Sequence, residues 1–554
     1  MYSEVTAFSE VTAFSEVTVF PELPVLSFIV FLPVVVGAAL LLVPEARRRL
    51  VGWIWIATAA VDLGLVGALW IDYAAGGGRS GGSAGVQAGA GTGAIGYETN
   101  FAWMPTLGSG YHVGVDGLSL PLVALTALLF LVCAIYSVRQ EHRPRAHAAL
   151  FLFLQTVSLG LFVSLDLILF FIFFDLSIVG MYFIIAVWGH GSAVRSALQF
   201  FLYTFIGSLA LLLGFIVLYL ASDPHTFDIV ELIRQDPLKN DPVLGGLALL
   251  AISIGLAVKT PTVPFHTWLP PAHTDAPAPG SVILAGVLLK MGTFGFVRIA
   301  MPILPGPWRS YAMGFVIVGL VSVLYGALVA MAQTNFKRMV AYTSVNHMGY
   351  IILGLGAAGL AAGSNPHAAS LAVTGAVTQM LSHGLLTGAL FLLAGALFER
   401  GHTYEMSAYG GLAGGAPRFA GLTAVAVFGS LGLPGLSGFI AEFQIFTGSL
   451  EAAPVPTALA LLGILITAAL LLRMLAQMFL GPVRQPTAEQ LESGAPSAGL
   501  LSAGTPGDLR PRELLSVAPL LVLAIVVGVL PRFLLDLIEP AAHALIALVA
   551  AAAP

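Results

Sequence analysis

Runs of about 20 mostly apolar residues, the length a helix needs to cross a bilayer, recur along almost the whole of this 554-residue chain. Inside hydrocarbon every backbone N–H and C=O must be satisfied within the structure, so a chain of this kind folds as a bundle of membrane-spanning helices. Fourteen candidate spans centre near residues 33, 61, 127, 156, 178, 208, 252, 288, 321, 348, 383, 433, 467 and 523. Composition agrees: 58% of residues are hydrophobic and 9% charged, against roughly a quarter charged in a soluble domain. A soluble globular enzyme and a disordered chain are excluded, and a formal net charge of −5 provides no footing for nucleic acid. The expected fold class is an all-α polytopic membrane protein of about fourteen transmembrane helices.

Residues 1–23 read as an extramembrane N-terminal tail. It holds a hexapeptide, Ser3 to Phe8, repeated at 9–14 and again at 15–20 with Val19 in place of alanine; three copies are too few for a solenoid. It lacks the basic n-region of a cleavable signal peptide. Residues 24–147 carry the first helices and a Gly-rich connection, 73–115, expected as a flexible external loop. Residues 481–554 hold a polar loop, the last span and a C-terminal tail in which 537–553 suggest a short helix. Lysine and arginine alternate between the loops with a strong bias, fourteen on one side and six on the other. By the positive-inside rule the rich side is cytoplasmic, which puts both termini outside.

The remaining three basic residues, Lys259, Lys290 and Arg473, lie inside spans. A charge at the bilayer centre costs about 2.5–3.5 kcal/mol on insertion scales and by default marks an ion or proton path. Six positions form the candidate site: Asp175, Lys259, Lys290, His347, His383 and Glu442. A buried lysine holds or releases its proton according to the distance of a carboxylate. Histidine relays near neutrality, and buried glutamate carries protons too. Such groups, joined by water, move protons without a cofactor. A static buried ion pair with hydrogen-bonded histidines is the bland alternative. Arg473, close to its span's end, reads as a snorkelling side chain; Asp62 reads equally as a site or a polar contact with a neighbouring subunit.

Two spans look interrupted. Lys259 is followed by Thr260-Pro261-Thr262-Val263-Pro264, and the span near 433 contains Gly432-Leu433-Pro434-Gly435 ahead of Glu442. Irregular backbone at membrane depth survives only where protein or water satisfies it, and paired interruptions point to an ion path. Other motifs fall away. Gly354, Gly356 and Gly359 match G-x-G-x-x-G but follow no strand, so they read as helix-contact residues. The single cysteine, Cys133, reads as a small buried hydrophobe. With no Walker A, HExxH or CxxC motif, the chain has no visible means of carrying electrons or hydrolysing ATP, and no metal or cofactor site is expected in it.

The segment from Lys259-Thr-Pro-Thr-Val-Pro-Phe-His-Thr-Trp through Leu289-Lys290-Met-Gly resembles the signature of the antiporter-like membrane subunits of respiratory complex I. Tyr111-His-Val-Gly-Val-Asp116-Gly, Lys337-Arg-Met-Val-Ala-Tyr-Thr-Ser-Val-Asn-His347 and Gly429-Ser-Leu-Gly-Leu-Pro-Gly through Glu442 agree with it. The likeness is strongest over about 110–480 and lies nearest the subunit M, or chain 4, branch, since sibling subunits usually have lysine where Glu442 stands. It implies two inverted five-helix repeats, residues 148–300 and 301–480. It also implies that Asp175 takes the place of the family's glutamate partner of Lys259, and that Lys290, His347 and His383 lie on a central hydrophilic axis ending at Glu442. Two departures stand out: aspartate replaces that glutamate, one methylene shorter, and Pro271 stands where the family often has aspartate.

The resemblance implies a proton-translocating membrane subunit of an NADH-quinone oxidoreductase in the bacterial plasma membrane. NADH, flavin, iron–sulfur clusters and quinone would be handled by partner subunits, and antiporter-like subunits L and N would be neighbours in the bilayer. The expected relay runs from Lys259 through Lys290, His347 and His383 to Glu442. A cation/proton antiporter subunit without redox input is the second reading, and a scaffold bridging neighbouring pump subunits the third.

Overall fold

The computed structural model describes residues 24–44, 47–77, 94–484 and 507–552. The hexapeptide repeat, most of the Gly-rich run and residues 485–506 lie outside the described residues.

Among the described residues twelve helices are long and apolar enough to cross a membrane. In chain order the helices begin with α1 (Val25–Leu40) and α2 (Arg48–Ala74). A two-stranded antiparallel hairpin follows, β1 (Gly96–Met104) and β2 (Ser109–Val115). Then come α3 (Leu120–Ser137), α4 (Pro144–Val163), α5 (Leu167–Trp188) and α6 (Ala193–Ala221). The short α7 (Ile229–Gln235) precedes α8 (Pro242–Lys259), α9 (Leu269–Asp275) and the long α10 (Ala278–Ile303). The second half holds α11 (Pro305–Met331), α12 (Phe336–Ala361), α13 (Pro366–Gly401), α14 (Pro417–Ser430), α15 (Ser437–Leu450) and α16 (Pro454–Phe479). The chain closes with α17 (Pro511–Val529) and α18 (Arg532–Ala551).

Three of the expected spans, made by four helices, fall outside that twelve for physical reasons. Helix α1 has 16 residues. Helix α12 is 26 residues long but is diluted by Lys337, Arg338, Asn346 and His347. Helices α14 and α15 are the two halves of the interrupted span, 14 residues each.

Burial orders the bundle. The apolar stretches of α10 and α13 are 100% and 94% buried, whereas those of α2 and α16 are 33% buried and lie on the outside of the bundle. The glycines at 354, 356 and 359 make helix contacts: a Cβ on Gly356 would lie 2.7 Å from Val316 N and one on Gly359 2.7 Å from Trp308 Nε1, so these two let α12 approach α11, while Gly354 faces Ile445 of α15 and Ala372 of α13. Cys133 is fully buried, in van der Waals company with the core.

Three expectations are corrected. The connection 73–115 is not all flexible loop, because its second half is the β1–β2 hairpin. That hairpin is tied down by polar contacts: Asp166 accepts from Ser109 Oγ and Gly110 N while capping α5 through Ile168 N and Leu169 N. The buried His112 ring stands between Glu98, at 2.7 Å, and Asp228. Burial opposes its charge, but hydrogen bonds and charge from Asp228 and Glu98 outweigh that and raise its pKa to about 9. The C-terminal helix is not short; it starts at Arg532 and runs 20 residues. Arg298 and Lys337, assigned to loops by the sequence, are buried inside the bundle.

Candidate functional site: a file of buried ionisable groups

Helix α8 stops at Lys259 because Pro261 and Pro264 supply no backbone donors to continue it. The chain turns irregularly until α9. Trp268 Nε1 donates to the freed Val258 carbonyl at 2.9 Å, and Ser322 Oγ accepts from Val263 N at 3.0 Å. These contacts satisfy the broken end, as the membrane interior demands. Lys259, 1% exposed, donates from Nζ to Ser177 Oγ at 2.8 Å and lies 4.7 Å from the centre of the Phe174 ring. Ser177 passes the contact on, donating to the Phe174 carbonyl at 2.6 Å.

Asp175 sits on the same stretch of α5, beside Ser208 of α6 and within electrostatic reach of Lys259. It makes no direct ion pair with the lysine, and its Oδ1 is buried without a hydrogen-bond partner. The ammonium donates to the Ser177 hydroxyl instead. The sequence reading missed Ser177. Its signal was available: two residues from Asp175, it is the one polar side chain near enough along α5 to share that region.

Helix α10 crosses the centre with two widened π turns, 284–288 and 296–300. Such turns recur at functional sites because they displace backbone groups from the regular ladder. Lys290, fully buried, curls back to donate to the Ala285 carbonyl at 2.5 Å, and its Nζ lies 2.5 Å from His383 Nδ1. A hydrogen bond between these two nitrogens needs one of them to be an unprotonated acceptor, so the pair shares a proton at that contact. The His347 and His383 ring centres are 5.3 Å apart, edge to face. The sequence-based order of the histidines is therefore reversed: His383 is the one against Lys290, and His347 lies beyond it.

His347, His383, Gln379, Ser430 and Glu442 line one internal space. Glu442 enters it from the second turn of α15, just past the interruption between α14 and α15. Gly432 in that interruption has φ +74°, and a Cβ there would lie 2.5 Å from Glu442 Oε2. The break is thus shaped to seat the carboxylate. All six sequence-predicted residues are in the bundle. Lys290, His383, His347 and Glu442 come together, Lys259 lies next to Ser177, and Asp175 stays apart from direct contact. Helices α8 and α10, carrying the two lysines, touch where Gly292 packs on Thr260.

Other buried charges behave differently. Arg298 pairs with Asp116 at 2.7 Å, the two being 3% and 1% exposed, and Arg400 pairs with Glu513 at 2.7 Å. Asp116 also caps α3 through Leu118 N and Ser119 N. Lys337 donates to the Ala276 carbonyl at the end of α9 and lies 5.2 Å from the Tyr404 ring. His273 is fully buried, stacked 4.6 Å from Phe391. Asp62 does not face a neighbouring subunit: fully buried, it accepts from Gln155 Nε2 at 2.5 Å and joins α2 to α4. Arg473 is exposed on α16, as a snorkelling residue should be.

A bundle of membrane helices with two interrupted spans and ionisable side chains buried along its centre has the make-up of an ion-translocating membrane protein. Residues 164–467 match the family model described as NADH:quinone oxidoreductase/Mrp antiporter, TM, and the chain belongs to that family. It is 38% identical over 444 residues to NADH-quinone oxidoreductase subunit M of Rickettsia prowazekii, covering 79% of this chain and 84% of that one. It is 35% identical over 532 residues to NAD(P)H-quinone oxidoreductase chain 4 1 of Nostoc sp., covering 94% and 91%. Among solved structures, a chain of respiratory complex I from Thermus thermophilus with bound NADH aligns with TM-score 0.78 and 28% identity, covering 94% of this chain and 99% of that one. A chain of the Mrp complex from Dietzia sp. shares the fold, with TM-score 0.80 and 22% identity, covering 95% and 99%.

Proposed function

We propose that this chain is a proton-translocating membrane subunit, of the subunit M or chain 4 kind, in an NADH-quinone oxidoreductase of the complex I class. The observation that carries the reading is the file Lys290–His383–His347–Glu442, set in the most buried helices and ending at a broken span. Electron transfer takes place in other subunits, which hold the NADH, flavin, iron–sulfur and quinone chemistry. Its effect reaches this chain as a change in the separation of Asp175 and Lys259. Lys259 resting on Ser177 is one position of that switch; Lys259 against Asp175 is the other. A proton released at Lys259 passes to Lys290, then through His383 and His347 to Glu442 and out. Moving one charge against 100 mV takes about 2.3 kcal/mol, which a lysine changing partners can supply.

In this reading the Arg-rich ends face the cytoplasm of a bacterial cell, and both termini lie outside because α18, which meets Gly117 just before α3 and Arg309 near the start of α11, runs along the outer face instead of crossing. Burial of Arg298 and Lys337 removes one residue from each side of the loop tally, so the bias keeps its sense. Residues 148–300 and 301–480 form the two inverted repeats, each with one interrupted span, and subunits of the L and N kind are the bilayer neighbours. The antiporter reading draws on the shared fold of the Mrp complex chain; the quinone-oxidoreductase relatives favour the redox-driven one.

The test is NADH-driven proton uptake into inverted membrane vesicles from wild type, Asp175→Asn and Asp175→Glu, with assembly and NADH oxidation measured alongside. Asp175→Asn is expected to abolish this subunit's share of pumping and Asp175→Glu to preserve it. Wild-type pumping by Asp175→Asn in an assembled complex would overturn the switch. Absence of NADH-driven flux in wild type would favour the antiporter.

A further inference from the structure

A surface cavity of about 980 Å³ lies away from the proton file, where the ends of α2, α3 and α17 meet. Its rim carries five guanidinium groups, Arg48, Arg49, Arg139, Arg510 and Arg512, against one lining carboxylate, Glu141. Arg48 is engaged with Glu141 at 3.0 Å, and Arg510 and Arg512 share Glu399 at 3.3 and 2.7 Å. Among the described residues Arg49 and Arg139 have no acidic partner. The opposite wall is apolar: Trp53 and Leu515, 64% and 60% exposed, with Ile56 and Ile135.

Position along the helices fixes the geometry. Arg48 begins α2, Arg139 follows the end of α3 and Arg510 precedes α17, so the cations ring the membrane–water boundary. Trp53, Ile56 and Leu515 lie about one to two turns further in, facing lipid. A fitting occupant needs an anionic head at the rim and a hydrocarbon body running down the apolar wall. A soluble anion leaves that wall bare, and a zwitterionic lipid leaves the excess cations uncompensated. We propose that this cavity is a specific site for an anionic phospholipid, its phosphate held by Arg49 and Arg139 and an acyl chain laid against Trp53 and Leu515. Basic pockets between helices at a membrane surface bind such headgroups. A lipid there joins α2, α3 and α17 on the outside of the bundle, away from every residue assigned to proton movement.

The experiment is native mass spectrometry of the full-length protein released from detergent after titration with phosphatidylglycerol, phosphatidylcholine or inorganic phosphate. Wild type is expected to retain one phosphatidylglycerol in preference to phosphatidylcholine, and millimolar phosphate to leave it in place. Arg49→Gln/Arg139→Gln should weaken retention about thirtyfold, about 2 kcal/mol at about 1 kcal/mol per basic group. Arg49→Lys/Arg139→Lys should keep most of it. Arg234→Gln/Arg532→Gln, at exposed positions elsewhere, should change nothing and controls for overall charge. Equal retention of the two lipids, displacement by phosphate, or undiminished binding by the glutamine pair would each overturn the proposal.

Discussion

Ser177→Ala isolates the contact on which the proposed switch rests. Lys259 is 1% exposed and its ammonium has one hydrogen bond, 2.8 Å to Ser177 Oγ, plus the Phe174 face at 4.7 Å. A hydrogen bond to a charged group is worth about 1.5–3 kcal/mol. The ring contact remains in the variant and contributes about 0.5–2 kcal/mol on its own. Removing the hydroxyl therefore shifts the balance between the Ser177 and Asp175 positions of Lys259 by about 10- to 150-fold. The lysine then rests against the carboxylate and the switch stays in one state. The expected phenotype is fewer protons taken up per NADH oxidised, in a complex that assembles and oxidises NADH at the normal rate. Ser177→Thr, which keeps the hydroxyl, should restore the ratio. Wild-type proton uptake per NADH by Ser177→Ala would refute the idea that this contact defines a working state. An equal loss in the alanine and threonine variants would instead mean that packing in α5 is what was disturbed.

Further outcomes follow from the same geometry. Gly432→Ala puts a Cβ 2.5 Å from Glu442 Oε2 at φ +74°, at a conformational cost of about 1–2 kcal/mol. It should lower both the melting temperature and proton uptake, whereas Gly414→Ala, with nothing within 4 Å of its Cβ, should do neither. Glu442→Gln should block proton uptake while leaving NADH oxidation measurable. Asp62→Asn, which can still meet Gln155, should stay within about 1 kcal/mol of wild type in thermal stability, while Asp62→Leu strands the amide and costs about 1–3 kcal/mol. His112 titrates at about 9 in the folded hairpin, above the roughly 6.5 of a free side chain. Its contribution is thus complete below about pH 6.5 and lost as pH rises through about 9. The melting-temperature gap between wild type and His112→Gln should shrink over that interval, and a gap independent of pH would refute the assignment.

The spans were legible because hydrocarbon leaves a chain few options, and so were the six ionisable residues within them, because each breaks an apolar run. What the sequence hid was partnership. Ser177 looks like any polar residue in a membrane helix until Lys259 is placed against it. Arg298 looked like a loop cation because it lies near the end of a span; only the fold brings Asp116, more than 180 residues earlier, to its guanidinium. The order of the histidines was equally invisible, since His347 and His383 lie on different helices and their distances to Lys290 depend on packing. The β1–β2 hairpin was obscured by the glycine-rich run ahead of it, which dominates the composition of that connection.

Partnership also separates the charges that hold the bundle from those proposed to move protons. Arg298 and Arg400 each meet a carboxylate, Asp116 or Glu513, at 2.7 Å in nearly dry surroundings. Breaking such a pair strands a charge and costs several kcal/mol, and arginine does not give up its proton, so these sites stay as they are. Lys259 and Lys290 meet a hydroxyl, a carbonyl and an imidazole instead. None of those partners is a carboxylate, so none locks the lysine in place. Converting Ser177 to aspartate should therefore turn Lys259 from a mobile into a fixed charge. The expected result is a complex that assembles, with Lys259 paired and proton uptake lost. Retained uptake would mean that proton release does not require Lys259 to have a neutral partner.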